Sequence, residues 1–340
     1  MVYRMNDINY IKISTQNLLY NINSLKKDYS YSYYILDVSN NAFFHGMYLL
    51  KYLKQDIDYL YVSHFQDLQL IRKYDQSIPV IYGGNVSLDN IFDLIMNNAI
   101  VVIRNLKLLK QIKELNIKDS FSFLFQIDPN GIYGIDDKQD ILDYLEWDHK
   151  HFNLLGIIAQ ITEEDYDNFQ YIIRPLSNLK LVILNHEENK NRIHDSNAIK
   201  LDKSVYGINF HKKRIFQKNI QTYHQIFTLH SKIKTIKEIN YNKKIQYVAI
   251  IPFGYDHGMN DIIKNVYIKN KLYSVKRITN EFTEILVDEA IKKDMDVEIT
   301  SSNNPLENYF QLQTLNYFAL FHFYIPVVFD DYILEKTLIY

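Results

Sequence analysis

The chain contains no cysteine. That excludes disulfides, thiolate catalysis and cysteine-ligated zinc or iron–sulfur sites, and fits a cytoplasmic protein. It also lacks charge of a prevailing sign. Thirty-eight basic and 40 acidic side chains leave a formal net charge of -2. Nothing in that balance asks for nucleic acid or an anionic membrane as partner. No run approaches the roughly 20 apolar residues that span a bilayer, and the opening MVYRMNDINYIKIS has no apolar core of the signal-peptide kind, so neither a membrane anchor nor a secretory leader is expected. Internal repeats, low-complexity tracts and long linkers are absent too. What is present is core-forming material: 47% hydrophobic residues and 14% aromatic in 340 residues, enough for two domains.

Short apolar runs alternate with helical patterns through the first two thirds. The runs are YYILDV (33–38), YLYVS (59–63), PVIYGG (79–84), IVVIRN (100–105), FSFLFQID (121–128), LLGIIAQI (154–161), KLVILN (180–185) and SVYGIN (204–209). Between them lie Gly46–Lys54, FQDLQLIRKYD, SLDNIFDLIMNN with Ser87 as N-cap, LKLLKQIKELN, DKQDILDYLEW and EEDYDNFQYIIRPL. Continuous apolar runs separated by helical periods are what a buried parallel sheet demands. Eight such units predict a (β/α)8 barrel. A helix over 15–27 precedes the first strand, with Leu18, Ile22 and Leu25 on one face.

From about residue 216 the periodicity changes to two. YHQIFTLHSKIKTIKEI, IQYVAIIPF, NVYIKN, LYSVKRI, FTEILVD and DVEITSS read as strands joined by polar turns, followed by a helix-like LENYFQLQTLNYFALFHFY. The expected organisation is therefore an α/β barrel domain over 1–215 and a mostly β domain over 216–340.

Several constellations carry little chemistry. His149, His151, His186 and His194 have no standard metal-ligand spacing, and 11 histidines in the chain make such pairs by chance. His186 differs in lying at the expected mouth of strand seven, where barrel sites are built. Gly83-Gly84 is no phosphate loop, since no Gly-Lys-Ser/Thr follows. His211–Arg214 reads as a solvated basic face, and NYFALFHFY as core or dimer interface.

The order and spacing of the motifs resemble the alanine racemase family, the fold-type III enzymes that use pyridoxal phosphate (PLP). IKISTQNLLYNI (11–22), with Asn21, follows the family's opening strand and helix. DVSNNAFFHG (37–46) aligns with the first barrel strand on the shared His45-Gly46. The resemblance places the Schiff-base lysine on Ser39 and the phosphate-contacting tyrosine on Phe43. In FQIDPNGIYGI, Gln126 takes the place of the family's often carbamylated lysine, while Asp128 and Gly134 are kept. The arginine near the cofactor has no counterpart, Ile132 and Tyr133 standing there instead. Asn185-His186 replaces the seventh-strand Asn-Ser. KLDKSVYG (200–207) puts Lys200 where an arginine faces the pyridine nitrogen, and Asp202 and Lys203 where backbone cradles the phosphate. PFGYDHG (252–258), with Tyr255, is the best match in the β domain. The nearest candidate for the catalytic tyrosine is Tyr241, in a shorter hairpin, and the family's Met-Asp substrate element falls near Asn280-Glu281.

The resemblance implies a PLP-dependent amino-acid racemase whose sites form at a homodimer interface. The residues depart from that role together. Serine cannot form an imine with an aldehyde, nor act as one of the two bases a racemase needs. Asp202 opposes a phosphate dianion, an effect that Lys203 offsets. The expectation is a catalytically degenerate relative, with PLP held only non-covalently if at all. It would serve as a binder of a small amino-acid-like ligand, or as homodimer or partner subunit of a catalytic paralogue. The alternative is an active racemase for alanine, serine, ornithine or lysine that feeds cell-wall or siderophore synthesis. A barrel enzyme with new chemistry around Asp37, His186 and Lys200 is also compatible with the residues. Strand alternation puts Asp37 on the side of Ser39, facing inward and needing an inward cation or a proton.

Overall fold

The computed structural model describes residues 9–43, 45–53, 56–115, 117–147, 149–186, 195–207, 223–241, 244–259, 261, 263–301, 304 and 327–329. The chain divides into two compact units. One comprises Leu25–Ala42 and Met47–Asp202, the other Met1–Ser24, Phe43–Gly46 and Lys203–Tyr340.

The first unit is a closed barrel of eight parallel strands, β2 to β9 in sequence order. They are β2 (Tyr33–Asp37), β3 (Tyr59–Val62), β4 (Val80–Tyr82), β5 (Ala99–Ile103), β6 (Phe121–Ile127), β7 (Phe152–Ala159), β8 (Leu181–His186) and β9 (Ala198–Leu201). β2 pairs with β9 to close the ring, Ile35 opposite Lys200 and Leu36 opposite Leu201. Ile35, Tyr59, Ile81, Ile100, Val102, Leu124, Ile158, Leu181, Ile183 and Ala198 form one buried cluster that draws on every strand. A barrel of this size is filled by such a layer and has no pore.

Seven barrel strands fall on the apolar runs expected of them. The eighth does not. Of the run 204–209 the described part, 204–207, is not a barrel strand; Ala198–Leu201 takes that place, and Lys203–Tyr206 is a turn of 3-10 helix. The short Ala-Ile-Lys-Leu run reads poorly because Lys200 interrupts it. Ser87 is likewise not the N-cap of its helix. That helix starts at Ile91, after Asn90, and the Ser87 carbonyl accepts from the N–H groups of Asn90 and Ile91 in a preceding turn. Two other helices are capped by rule. The Asn105 side chain accepts from Leu108 N–H ahead of Leu106–Glu114, and that of Asp137 from Gln139 N–H ahead of Lys138–Leu145.

The second unit holds a nine-stranded sheet in the order β11-β12-β15-β14-β13-β16-β10-β1-β17. Its members are β1 (Tyr10–Ile13), β10 (Phe227–Lys232), β11 (Thr235–Tyr241), β12 (Lys244–Ile251), β13 (Asn265–Ile268), β14 (Lys271–Ile278), β15 (Thr283–Val287), β16 (Asp296–Thr300) and β17 (Val327–Phe329). All pairings are antiparallel except β1 with β17. The amino-terminal strand thus pairs with β10, more than 200 residues along the chain, and not with the barrel. Asn21, fully buried, works as a polar clamp in this unit. Its amide donates to the carbonyls of Val205 and His224 at 3.1 and 2.8 Å, and its oxygen accepts from His224 N–H at 2.8 Å. The helix-like 306–324, the basic 211–214 and the expected boundary at 215 lie outside the described residues.

Candidate functional site: the barrel mouth

One period-two step beyond the inner apolar layer, toward the carboxyl ends of the strands, the barrel turns polar. Alternation carries Ile35 to Asp37, Tyr59 to Tyr61, Ile81 to Gly83, Val102 to Arg104, Leu124 to Gln126 and Ala198 to Lys200. This is the end at which barrels of this type place their sites.

Asp37 is 7% exposed. Its Oδ2 accepts from Lys200 Nζ at 2.8 Å, and its Oδ1 accepts from Ser39 N–H at 3.0 Å. The buried carboxylate therefore has its inward cation. The Lys200 ammonium also sits 4.6 Å from the centre of the Tyr61 ring. Burial pulls the Lys200 pKa down, but the charge and hydrogen bond of Asp37 outweigh it, and the net result lies above the ordinary lysine value. The Tyr61 hydroxyl is pushed up by burial, against the opposing pull of Lys200. Gly83 is required beside it, since a Cβ there would collide with the Tyr61 ring and hydroxyl.

Ser39 is 6% exposed. Its Oγ accepts from Ser63 N–H at 3.0 Å and lies 3.3 Å from Ser63 Oγ, so the hydroxyl is tied to the neighbouring strand end. Beyond it the backbone makes a left-handed turn. Asn40, Asn41, Ala42 and Phe43 all have φ of 50–55°, each such non-glycine residue costing about 1–2 kcal/mol. Asp67, 4% exposed, holds this turn: its two carboxylate oxygens accept from Asn40 and Asn41 N–H at 2.8 and 2.7 Å. Asn41 Oδ1 in turn accepts from Met47 N–H at 2.9 Å. Burial raises the Asp67 pKa, and the two backbone bonds pull against it.

Across the mouth, Arg104 donates to the carbonyls of Gly83 at 2.5 Å and Gly84 at 2.7 Å, and its guanidinium lies 4.5 Å from the Tyr133 ring centre. Tyr133 rides on a loop gathered by Asp128, whose carboxylate accepts from the N–H groups of Asn130, Ile132 and Tyr133. Neither Arg104 nor Asp67 was marked by the sequence motifs. The signal for Arg104 was its place two residues after Val102 at the end of an apolar strand. For Asp67 there was none beyond the Asn-Asn pair it supports.

The barrel unit thus brings together Asp37, Ser39 and Lys200. Gln126, half-buried, lies one step along β6 from the inner layer. Asp202 stands close enough to Lys200 to add to the rise in its pKa. Asn185 and His186 are backbone members of β8, with His186 opposite Lys200 in the ladder; their side chains, and that of Tyr241 at the end of β11, lie outside the described residues, as does His194. The remaining candidates, Phe43, His45, Lys203 and Tyr255, belong to the other unit. Phe43 and His45 are buried against Tyr206, ring centres 5.0 and 4.9 Å apart, and His45 also meets Phe227. Lys203 opens the 3-10 turn that ends in Tyr206. The Tyr255 hydroxyl donates to Asp261 at 2.6 Å in the turn after β12.

The residues at the barrel mouth do not fit covalently held PLP. Imine formation needs a free amine. Strand β2 and its turn offer only Ser39, and the Lys200 amine is kept protonated by Asp37. Among the described residues no group of histidine and carboxylate side chains is arranged to hold a metal ion, and no helix is long and apolar enough to cross a membrane.

No family model matches the sequence, and no curated protein matches it. The fold, by contrast, has close counterparts among solved structures. An alanine racemase from Clostridium difficile 630 in complex with cycloserine superimposes with a TM-score of 0.80 at 18% identity, covering 98% of this chain and 99% of that one. Alanine racemase from Oenococcus oeni gives 0.82 at 16% identity, covering 96% and 99%. The enzyme from Bacillus anthracis with bound L-Ala-P gives 0.77 at 16%, covering 98% of each chain. Over nearly its whole length the chain has the fold of the alanine racemases, a (β/α)8 barrel with a β domain.

Proposed function

We propose that this chain is an alanine-racemase-fold protein that has given up PLP-dependent racemisation and uses its barrel mouth to hold a small amino-acid-like ligand. It works alone, as a homodimer or as the partner subunit of a catalytic chain, in the cytoplasm. The observation that carries this reading is the wiring of strand β2. Ser39, at the family's lysine position, is hydrogen-bonded to Ser63, and Lys200, the nearby amine, is committed to Asp37. Racemisation asks for two bases on opposite faces of the substrate carbon. A serine hydroxyl is too weakly basic, and a protonated lysine has no lone pair to offer. A polar, charge-bearing mouth over a filled barrel still suits a ligand with an ammonium and a carboxylate.

The test is spectroscopic. Purified protein is mixed with PLP, reduced with borohydride and mapped by mass spectrometry, and racemisation of alanine, serine, ornithine and lysine is assayed alongside. The expected result is no reduced adduct on any barrel lysine and no turnover. An adduct mapped to a barrel lysine, with turnover, overturns the proposal in favour of an active racemase.

A further inference from the structure

Among the described residues Lys200 and Arg104 stand at the barrel mouth, and the two cations are treated differently. Lys200 is matched by Asp37 at 2.8 Å. Arg104 has no carboxylate partner among the described residues. Its two hydrogen bonds go to the Gly83 and Gly84 carbonyls, and its Nε is buried with no hydrogen-bond partner. A guanidinium has five N–H donors. Two are used, so three remain, Nε–H among them. A buried donor left unpaired is costly, and a partly buried charge without a counter-ion more so.

The guanidinium is also held in one orientation. Glycine carbonyls fix one side and the Tyr133 ring covers one face, while Asp128 fixes the loop that carries Tyr133. A residue serving only to tie two loops together would use its donors on the protein. This one is immobilised with donors to spare, beside a ring that is 58% exposed. Guanidinium edges bind carboxylates through two parallel N–H···O bonds, and holding the guanidinium in place beforehand lowers the entropic cost of doing so.

We propose that Arg104 binds the carboxylate of the ligand at the barrel mouth, through the terminal N–H donors that the protein leaves unpaired. The ligand class, an amino-acid-like carboxylate, rests on the function proposed above. The residue assignment rests on Arg104 itself.

The test titrates the full-length protein with acetate, L-alanine, D-alanine and L-alaninamide, followed by calorimetry and ligand-observed NMR. Acetate and both alanines are expected to bind with dissociation constants in the millimolar range, about -4 kcal/mol, while alaninamide, which lacks the carboxylate, does not. R104Q should weaken carboxylate binding at least about tenfold, and R104K, which keeps the charge and loses the fork, about three- to tenfold. Should R104Q fail to fold, R104K decides. Acetate and alanine binding unchanged in R104K, or no carboxylate binding to the parent protein at about 50 mM, overturns the inference. A PLP adduct mapped to a barrel lysine, with turnover, would overturn the proposed function and leave the Arg104 result standing, so the two failures are distinct.

Discussion

The Asp37–Lys200 pair invites a double-mutant cycle. Both side chains are nearly buried, 10% and 15% exposed. Removing one partner of such a pair strands a charge, and costs about 3–5 kcal/mol. Asp37→Asn leaves the Lys200 ammonium facing an amide; Lys200→Met keeps the aliphatic stem against Tyr61 but leaves Asp37 with the Ser39 N–H as its remaining described bond. Each single variant should lose about 3 kcal/mol, the low end of that range, because each surviving group keeps one favourable contact. The double variant carries no stranded charge, and should lose no more than either single one, a coupling of about 3 kcal/mol or more. Trp147 is the only tryptophan of the chain and lies in the same unit as the pair, so urea unfolding followed by its fluorescence reports on the barrel. The pH dependence adds a second check. Because the folded pKa of Lys200 is raised above 10.5, its contribution is complete below that value and is lost as pH rises through the folded pKa. The gap between the parent and Lys200→Met should stay flat through neutral pH and narrow only in strong alkali. Single losses under about 1 kcal/mol, or a double variant equal to the sum of the singles, would refute the pair as described.

Asp67→Ala should cost about 3 kcal/mol, because it leaves the Asn40 and Asn41 N–H groups of a strained turn without acceptors, whereas Asp67→Asn, which keeps one acceptor, should cost about 1 kcal/mol. Burial raises the Asp67 pKa, so this carboxyl favours folding most below its ordinary value of 3.8 and loses that contribution as pH rises through the folded pKa. The stability gap between parent and Asp67→Asn, followed from pH 3.5 upward, should therefore be widest at the acid end and narrow as pH rises through the folded pKa; a gap that does not change with pH would count against a raised pKa. Gly83→Ala should destabilise the barrel by about 2–3 kcal/mol, since the added Cβ collides with the Tyr61 ring. Tyr61→Phe should not rescue it, because ring carbons collide as well as the hydroxyl; full rescue by Tyr61→Ala is expected to fail too, for the cavity it opens.

The barrel was legible because a buried parallel strand needs apolar residues on both faces, and seven runs such as IVVIRN and FSFLFQID supply them over most of their length. The eighth escaped because β9 is four residues long and spends one of them on Lys200. That same lysine pairs with Asp37, so the local rule failed where the barrel turns polar. Asp37 was legible as an inward carboxylate in need of a partner, through period two alone. Its partner was not, because Lys200 lies 163 residues away and becomes a neighbour only when β2 and β9 close the ring. Pairing of β1 with β10 and β17 is hidden in the same way. Asp67 acts on backbone N–H groups 26 and 27 residues earlier, and no side-chain pattern announces such a bond. The turn it holds did leave a trace: asparagine tolerates positive φ better than other non-glycine residues, and two stand together at 40 and 41.

The charges at the mouth act as a set. A buried ion pair is weak evidence for stability, since apolar replacements of the same shape often do as well. The presence of Asp37 and Lys200 is better explained by what they leave to Arg104. Without Asp37, two cations would line the mouth and favour a dianion such as a phosphate group. With it, Lys200 is neutralised from within, Asp202 adds negative charge nearby, and the field that a ligand meets is closer to that of one guanidinium. On that argument Asp37 sets ligand charge as well as holding Lys200. Asp37→Asn should then shift the preference of the mouth from acetate toward inorganic phosphate, in binding measured at fixed ionic strength. A variant that folds and still takes acetate over phosphate as the parent does would show that the pair is structural only.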